Sequence, residues 1–187
     1  MRSRYLIAAA LLFRGNLVGA QAGQLLGSIR RLTPSAFRDL PHDVRHDLEL
    51  RECLVPQPWD ARSPQNVIHG AFTAAGESEW AVLCSVRDTS ELLIYRPVGG
   101  PRTPAVDSLL RAPDLSWMQA VGGGRWGYSR RLQALPPGKI RSWRRDADGR
   151  AVPQPIDHDA IEQIFTDKAA EGFYFARGRW YRRILAE

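Results

Sequence analysis

Residues 79–96, "EWAVLCSVRDTSELLIYR", constrain this chain more than any other stretch. "EWAVLCSV" is apolar at both odd and even positions. A strand turns successive side chains to opposite faces, so this strand needs cover on both. "DTS" marks a turn, "ELLIYRPV" reads as the next strand and "NVIHGAF" as the one before. Apolar runs joined by short turns predict an antiparallel meander. Cover for one face comes from upstream. In "TPSAFRDLPHDVRHDLELREC", Phe37, Leu40, Val44 and Leu48 fall at helical spacing. Thr33 or Ser35 caps a first turn opened by Pro34, and Pro41 divides it from a helix over 42–51.

Beyond the meander, "GGPRTPAVDSLLRAPD" reads as a loop with one helical turn. "LSWMQAVG", "WGYSRRLQAL" and "GKIRSWRRD", broken by "GGGR", "PPG" and "DADG", read as a second meander. "DAIEQIF" is taken as a strand, and "FYFARGRWYRRI" as a hairpin about Arg177-Gly178. The expected fold is α+β, with an N-terminal helix packed on a mainly antiparallel sheet of about six to eight strands. The helical part covers 33–53 and the β-rich part 66–187, within a single domain over 23–187.

The first 22 residues have the layout of a signal peptide. "MRSR" is the positive start, "YLIAAALLF" a nine-residue apolar run, and Ala20-Gln21-Ala22 a small-x-small cleavage site. The apolar run is far below the ~20 residues that span a bilayer. An uncleaved N-terminal helix is the alternative. The chain is therefore expected to be exported, to periplasm or medium, with no membrane span after cleavage. Cys53 and Cys84 then form one disulfide, as an even cysteine count in an exported chain implies. Two buried free thiols are the other reading.

The chain has a formal charge of +6, and three of its arginines (Arg2, Arg4 and Arg14) lie in the leader. Arginine and aromatic residues mix near the C-terminal half. The candidate binding face comprises Arg130, Arg131, Trp143, Arg144, Arg145 and Trp180, with Trp126, Tyr128, Arg179, Tyr181 and Arg182 nearby in sequence. Such a mixture suits an anionic polymer or a protein partner. Export makes nucleic acid an improbable target and favours an anionic envelope glycan or an acidic protein. A solvated β face with tryptophans half in the core is the alternative.

Catalytic signals are sparse. In "IDHDAIE", Asp157, His158 and Asp159 can form an acid–base cluster, although on a strand the two acids point away from the histidine. A capped turn is the plainer reading. His42 and His46 lie four apart on the expected helix, but Asp43 stands where a zinc protease motif has glutamate. No metal and no cofactor are expected.

Two resemblances accompany this reading. Gly70, Phe72, Thr73, Gly76 and Glu79, followed by "WAVL", resemble a single FG-GAP-type calcium loop over residues 70–83. Ala71 and Ala75 stand at its first and third carboxylate positions. The order "LP..V...L...C.VPQ", "NVI.G.F......WAVLCS", "DHDAI......KA......G.W" resembles an uncharacterised family of exported bacterial proteins, which implies no activity. The expected function is an exported, non-enzymatic binding or inhibitor-like protein. The alternative is a small envelope hydrolase using Asp157, His158 and Asp159.

Overall fold

A computed structural model describes residues 21–96 and 105–186. All but the last two residues of the expected leader lie outside that range. Residues 21–27 are helical and lead into β1 (Arg31–Leu32), a 3-10 turn at Pro34–Ala36, α1 (His42–Leu50) and β2 (Val55–Pro56). Strands β3 (Val67–Gly70), β4 (Glu79–Val86), β5 (Thr89–Arg96) and β6 (Ala105–Pro113) form one antiparallel sheet in that order. After a 3-10 turn at Asp114–Trp117, β7 (Met118–Ala120) pairs with β8 (Trp126–Tyr128). A second four-stranded antiparallel sheet has the order β12-β11-β10-β9, from β9 (Arg130–Leu135), β10 (Ala160–Phe165), β11 (Ala169–Ala176) and β12 (Arg179–Ala186). A short helix, α2 (Pro137–Ile140), follows β9.

The chain is thus mostly antiparallel sheet. Residue alternation in β4 explains the layering. Ala81 and Leu83 enter a cluster with Leu92, Ile94, Met118, Tyr128, Leu132, Ile161 and Phe173, so the two large sheets share one core. Val82 and Cys84 point the other way, into a cluster with Leu93, Tyr95, Val44, Leu48, Phe37 and Leu40. Cys53 and Cys84 form the disulfide, with Cα atoms 5.3 Å apart, an ordinary span for the bond. The Tyr95 hydroxyl donates to Asp47 on α1 at 2.8 Å.

Asn66 joins the two sheets. Its backbone is left-handed at φ 69°, and its side chain is buried. The amide nitrogen donates to the Pro56 and Arg130 carbonyls, and the oxygen accepts from the Leu132 amide at 2.9 Å. One side chain thereby does the pairing of a missing strand residue between β2, β3 and β9.

Several expectations need correction. Residues 105–113 form a strand, not a loop. It is the edge strand of its sheet, with irregular register near Ser90/Leu92 and a left-handed Leu110, so its alternation is broken in sequence. "GKIRSWRRD" is not a strand. Pro136 and Pro137 preset the φ of a helical turn, and the chain then runs irregularly, stapled where Asp146 accepts the Asp148 and Arg150 amides. "WGYSRRLQAL" is divided at Ser129 between two sheets. The β4–β5 turn sits at Arg87 and Asp88, both left-handed, and Thr89 already belongs to β5. The expected Arg177-Gly178 hairpin and the strand reading of "DAIEQIF" stand as β11–β12 and β10.

Candidate functional site

The predicted binding residues do not share a surface. Arg130 lies on β9 in phase with Leu132, so it points into the core and has no exposed area. Its Nε donates to Gln163 at 2.6 Å and its guanidinium lies 4.5 Å over the Trp117 ring. Burial lowers its pKa from the ordinary arginine value. Arg131, one residue on, faces outward and pairs with Asp60 at 2.7 Å. Trp143 is buried in a third cluster with Ile140, Val152, Ile156, Tyr174 and Tyr181. Arg144 and Arg145 are exposed, but their guanidinium groups hold the carbonyls of Arg141 and Gly149. Trp180 packs edge-on against Phe175 and reaches Asp107 at 3.3 Å.

The Asp157–His158–Asp159 cluster is likewise divided. His158 is buried, stacked on Tyr174 at 4.4 Å. Its Nδ1 meets Asp157 at 2.7 Å and its Nε2 meets the Phe175 carbonyl at 2.8 Å. Both nitrogens are engaged within the protein, Nδ1 also lying 3.3 Å from the Tyr174 hydroxyl, and the ring lines no open cleft among the described residues. The His158 hydrogen bond holds the Asp157 carboxyl below the usual carboxylate range. Asp159 turns away and accepts the Ala71 amide at 3.1 Å. His42 and His46 stack at 6.3 Å on the exposed side of α1.

The loop that resembles a calcium turn is filled from within. Glu79 is buried, and its carboxylate accepts the Phe72 and Thr73 amides at 2.6 Å each, together with the Thr73 hydroxyl. Backbone donors converging on one anion are the reverse of a cation site, which gathers oxygens.

A different set of residues does converge. Of the six tryptophans, Trp59 and Trp126 are the exposed ones, at 45% and 48%. Both line one cavity of about 260 Å³, with Arg30, Gln57, Arg125 and Tyr128. Three segments distant in sequence build it. Gln57 donates its amide to the Arg30 carbonyl and Trp59 to the Tyr128 carbonyl, both at 2.8 Å. The Arg131–Asp60 pair ties the 57–61 segment to β9. Arg31, bonded to Asp114 at 2.8 Å and to the Leu26 carbonyl at 3.1 Å, fixes the other wall. The turn carrying Arg125 uses Gly122, Gly123 and Gly124, all left-handed, at φ 88°, 60° and 71°.

Two features suit this groove to a ligand. No acid lines it, and Arg30 and Arg125 make no side-chain hydrogen bond or ion pair among the described residues. Gly127 is what admits Trp59. A Cβ there would stand 2.5 Å from the Trp59 Cβ and 2.6 Å from its Cγ. The sequence names Trp126 beside the candidate face and marks "GGGR" as a break between strands. It leaves out Trp59, Arg30 and Arg125. The available signal was Trp59 in "PQPWDARSP", a tryptophan held in a proline-rich connector where no regular element buries it.

No protein-family model, curated protein or solved structure matches this chain. Among the described residues, no helix is long and apolar enough to cross a membrane.

Proposed function

We propose that this protein is an exported, non-enzymatic binding protein, and that its ligand is an anionic glycan held in the Trp59–Trp126 groove. The observation that carries the reading is that both exposed tryptophans line one cavity with two arginines, and that among the described residues no acid lines it and neither arginine has a side-chain partner. Indole faces offer flat apolar area for the faces of sugar rings. Guanidinium groups match carboxylates in a planar fork. Gln57 and Tyr128 form the buried floor of the groove, their side chains bonded within the protein. The groove is concave and mixed in polarity, which favours a glycan over an acidic protein, whose docking would need a larger apolar centre. The disulfide and the leader-like N-terminus support export. In the same reading the chain is an α+β domain in which α1 covers the outer face of the β3–β6 sheet, supported by the cluster of Val44 and Leu48 with Val82 and Leu93.

Titration with oligogalacturonate, followed by calorimetry, tests the reading. Binding is expected to weaken with salt and to fall at least about ten-fold, a loss of about 1.4 kcal/mol, in Trp126→Ala and Arg125→Ala. The Arg144→Glu/Arg145→Glu pair should bind as the parent does. Equal binding of a neutral oligosaccharide, or loss of binding in the Arg144/Arg145 variant alone, would refute it.

A further inference from the structure

We infer that the groove holds an internal stretch of an anionic glycan chain rather than a single sugar acid, a proposal that rests on the binding reading above. A second cavity, of about 460 Å³, is lined by Gln21, Gln24, Leu25, Ser28, Gly124, Arg125 and Trp126. Three of these residues (Ser28, Arg125 and Trp126) also line the first cavity. Trp126 therefore stands where the two spaces meet, and Arg125 is reached from both.

The two spaces carry different chemistry. The first has two indoles and two arginines, enough to stack one ring and hold its carboxylate. The second has no further tryptophan. It offers the Gln24 amide and the Ser28 hydroxyl oxygen, whose proton is held by the Leu25 carbonyl, and shares the Arg125 cation. Amides that both donate and accept suit the hydroxyl groups of a neighbouring sugar. Like the first, the second lining contains no acid among the described residues, so a negatively charged repeat meets no like charge from them on leaving the first cavity. A single sugar acid would leave this second space unused.

The three walls also explain why the path continues. Residues 21–27 are helical. Gln21 belongs to the expected leader, and cleavage after Ala22 makes Gly23 the first residue; Leu25 and Leu26, packed on the shared core, are then what hold Gln24 and Ser28 beside the groove. Arg31 holds the end of that helix through the Leu26 carbonyl.

The test is a chain-length series of oligogalacturonates, from the monomer to the hexamer, titrated into the purified protein and read by tryptophan fluorescence and calorimetry. Affinity should rise at least about ten-fold from monomer to trimer, more than the roughly three-fold statistical gain from three equivalent units, and then level off. Gln24→Ala should weaken trimer binding several-fold and leave monomer binding unchanged, whereas Trp59→Ala should weaken both. Affinity independent of length, or an equal effect of Gln24→Ala on monomer and trimer, would overturn the chain proposal and leave the groove as a sugar-acid site. If no oligomer binds at any length while polyglutamate does, the ligand is an acidic polypeptide and both readings fail.

Discussion

Trp59 and Trp143 each rest on a sheet glycine and end in opposite places. Each lies across a sheet glycine: Trp59 against Gly127 on β8, and Trp143 against Gly172 on β11. A Cβ at Gly127 would strike the root of the Trp59 side chain, at Cβ and Cγ, and one at Gly172 would strike the outer edge of the Trp143 ring. Yet Trp143 is 3% exposed and Trp59 is 45% exposed. The difference lies in what closes over them. Ile140, Val152 and Ile156 pack around Trp143 from a covering segment after β9, against Tyr181 of β12, making it the anchor of that layer. Trp59 has its backbone pinned to Tyr128, and its ring borders the groove rather than being roofed by a covering layer. A glycine seat positions a tryptophan precisely, and the surrounding layer decides whether it serves stability or a ligand.

The largest effect should come from Trp143→Ala. Removing a buried tryptophan leaves a cavity and costs about 3–5 kcal/mol, to be measured by denaturant unfolding. A loss as small as that of a surface site would break the comparison, since Trp143 would then be no anchor. Gly127→Ala should cost less, about 1–3 kcal/mol: the Trp59 Cβ is fixed to its backbone, so the 57–61 segment has to shift off β8. Its signature is elsewhere: ligand affinity should fall nearly as far as in Trp59→Ala while the protein stays folded. An unaltered affinity would mean that the seat does not position the indole for binding.

The smallest effect concerns Asp157, which leads into β10 beside the Trp143 layer. Its folded pKa is depressed by the His158 hydrogen bond. A depressed carboxyl contributes stability above its unfolded value, about 3.9, and loses it as pH falls through the lower folded value. The parent should therefore lose more stability than Asp157→Asn between neutral pH and the acid limb below about pH 4. Parallel curves would show that the pair contributes nothing. Asp157 is largely exposed, so the difference should be slight.

The arginines repeat the lesson of the tryptophans. Arg130 and Arg131 are adjacent in sequence and identical in composition terms. On a strand they must point to opposite faces. Arg130 lies under Trp117 in the core and Arg131 meets Asp60 outside. Counting cations over 125–150 could not separate them. Strand phase could have, had Leu132 been used to mark the inward face of β9.

What the sequence determined by itself is local. Alternation in "EWAVLCSV", the turn residues of both hairpins and the spacing of Val44 and Leu48 are set by neighbours within a few residues. They identify β4, β5, β11–β12 and α1, with the β4–β5 turn at Arg87 and Asp88 rather than over "DTS". The cysteine pair also follows, because two cysteines allow a single connectivity. Strand β6 was not legible, since an edge strand with a bulge loses the alternation that marks it. The groove was not legible either. Arg30, Trp59 and Trp126 come from segments joined by backbone hydrogen bonds across about 30 and 70 residues of chain. Which side chains meet there depends on how the small β1–β2 and β7–β8 pairs settle beside the shared core. That choice is made by burial of the whole molecule, so tertiary structure alone decided it.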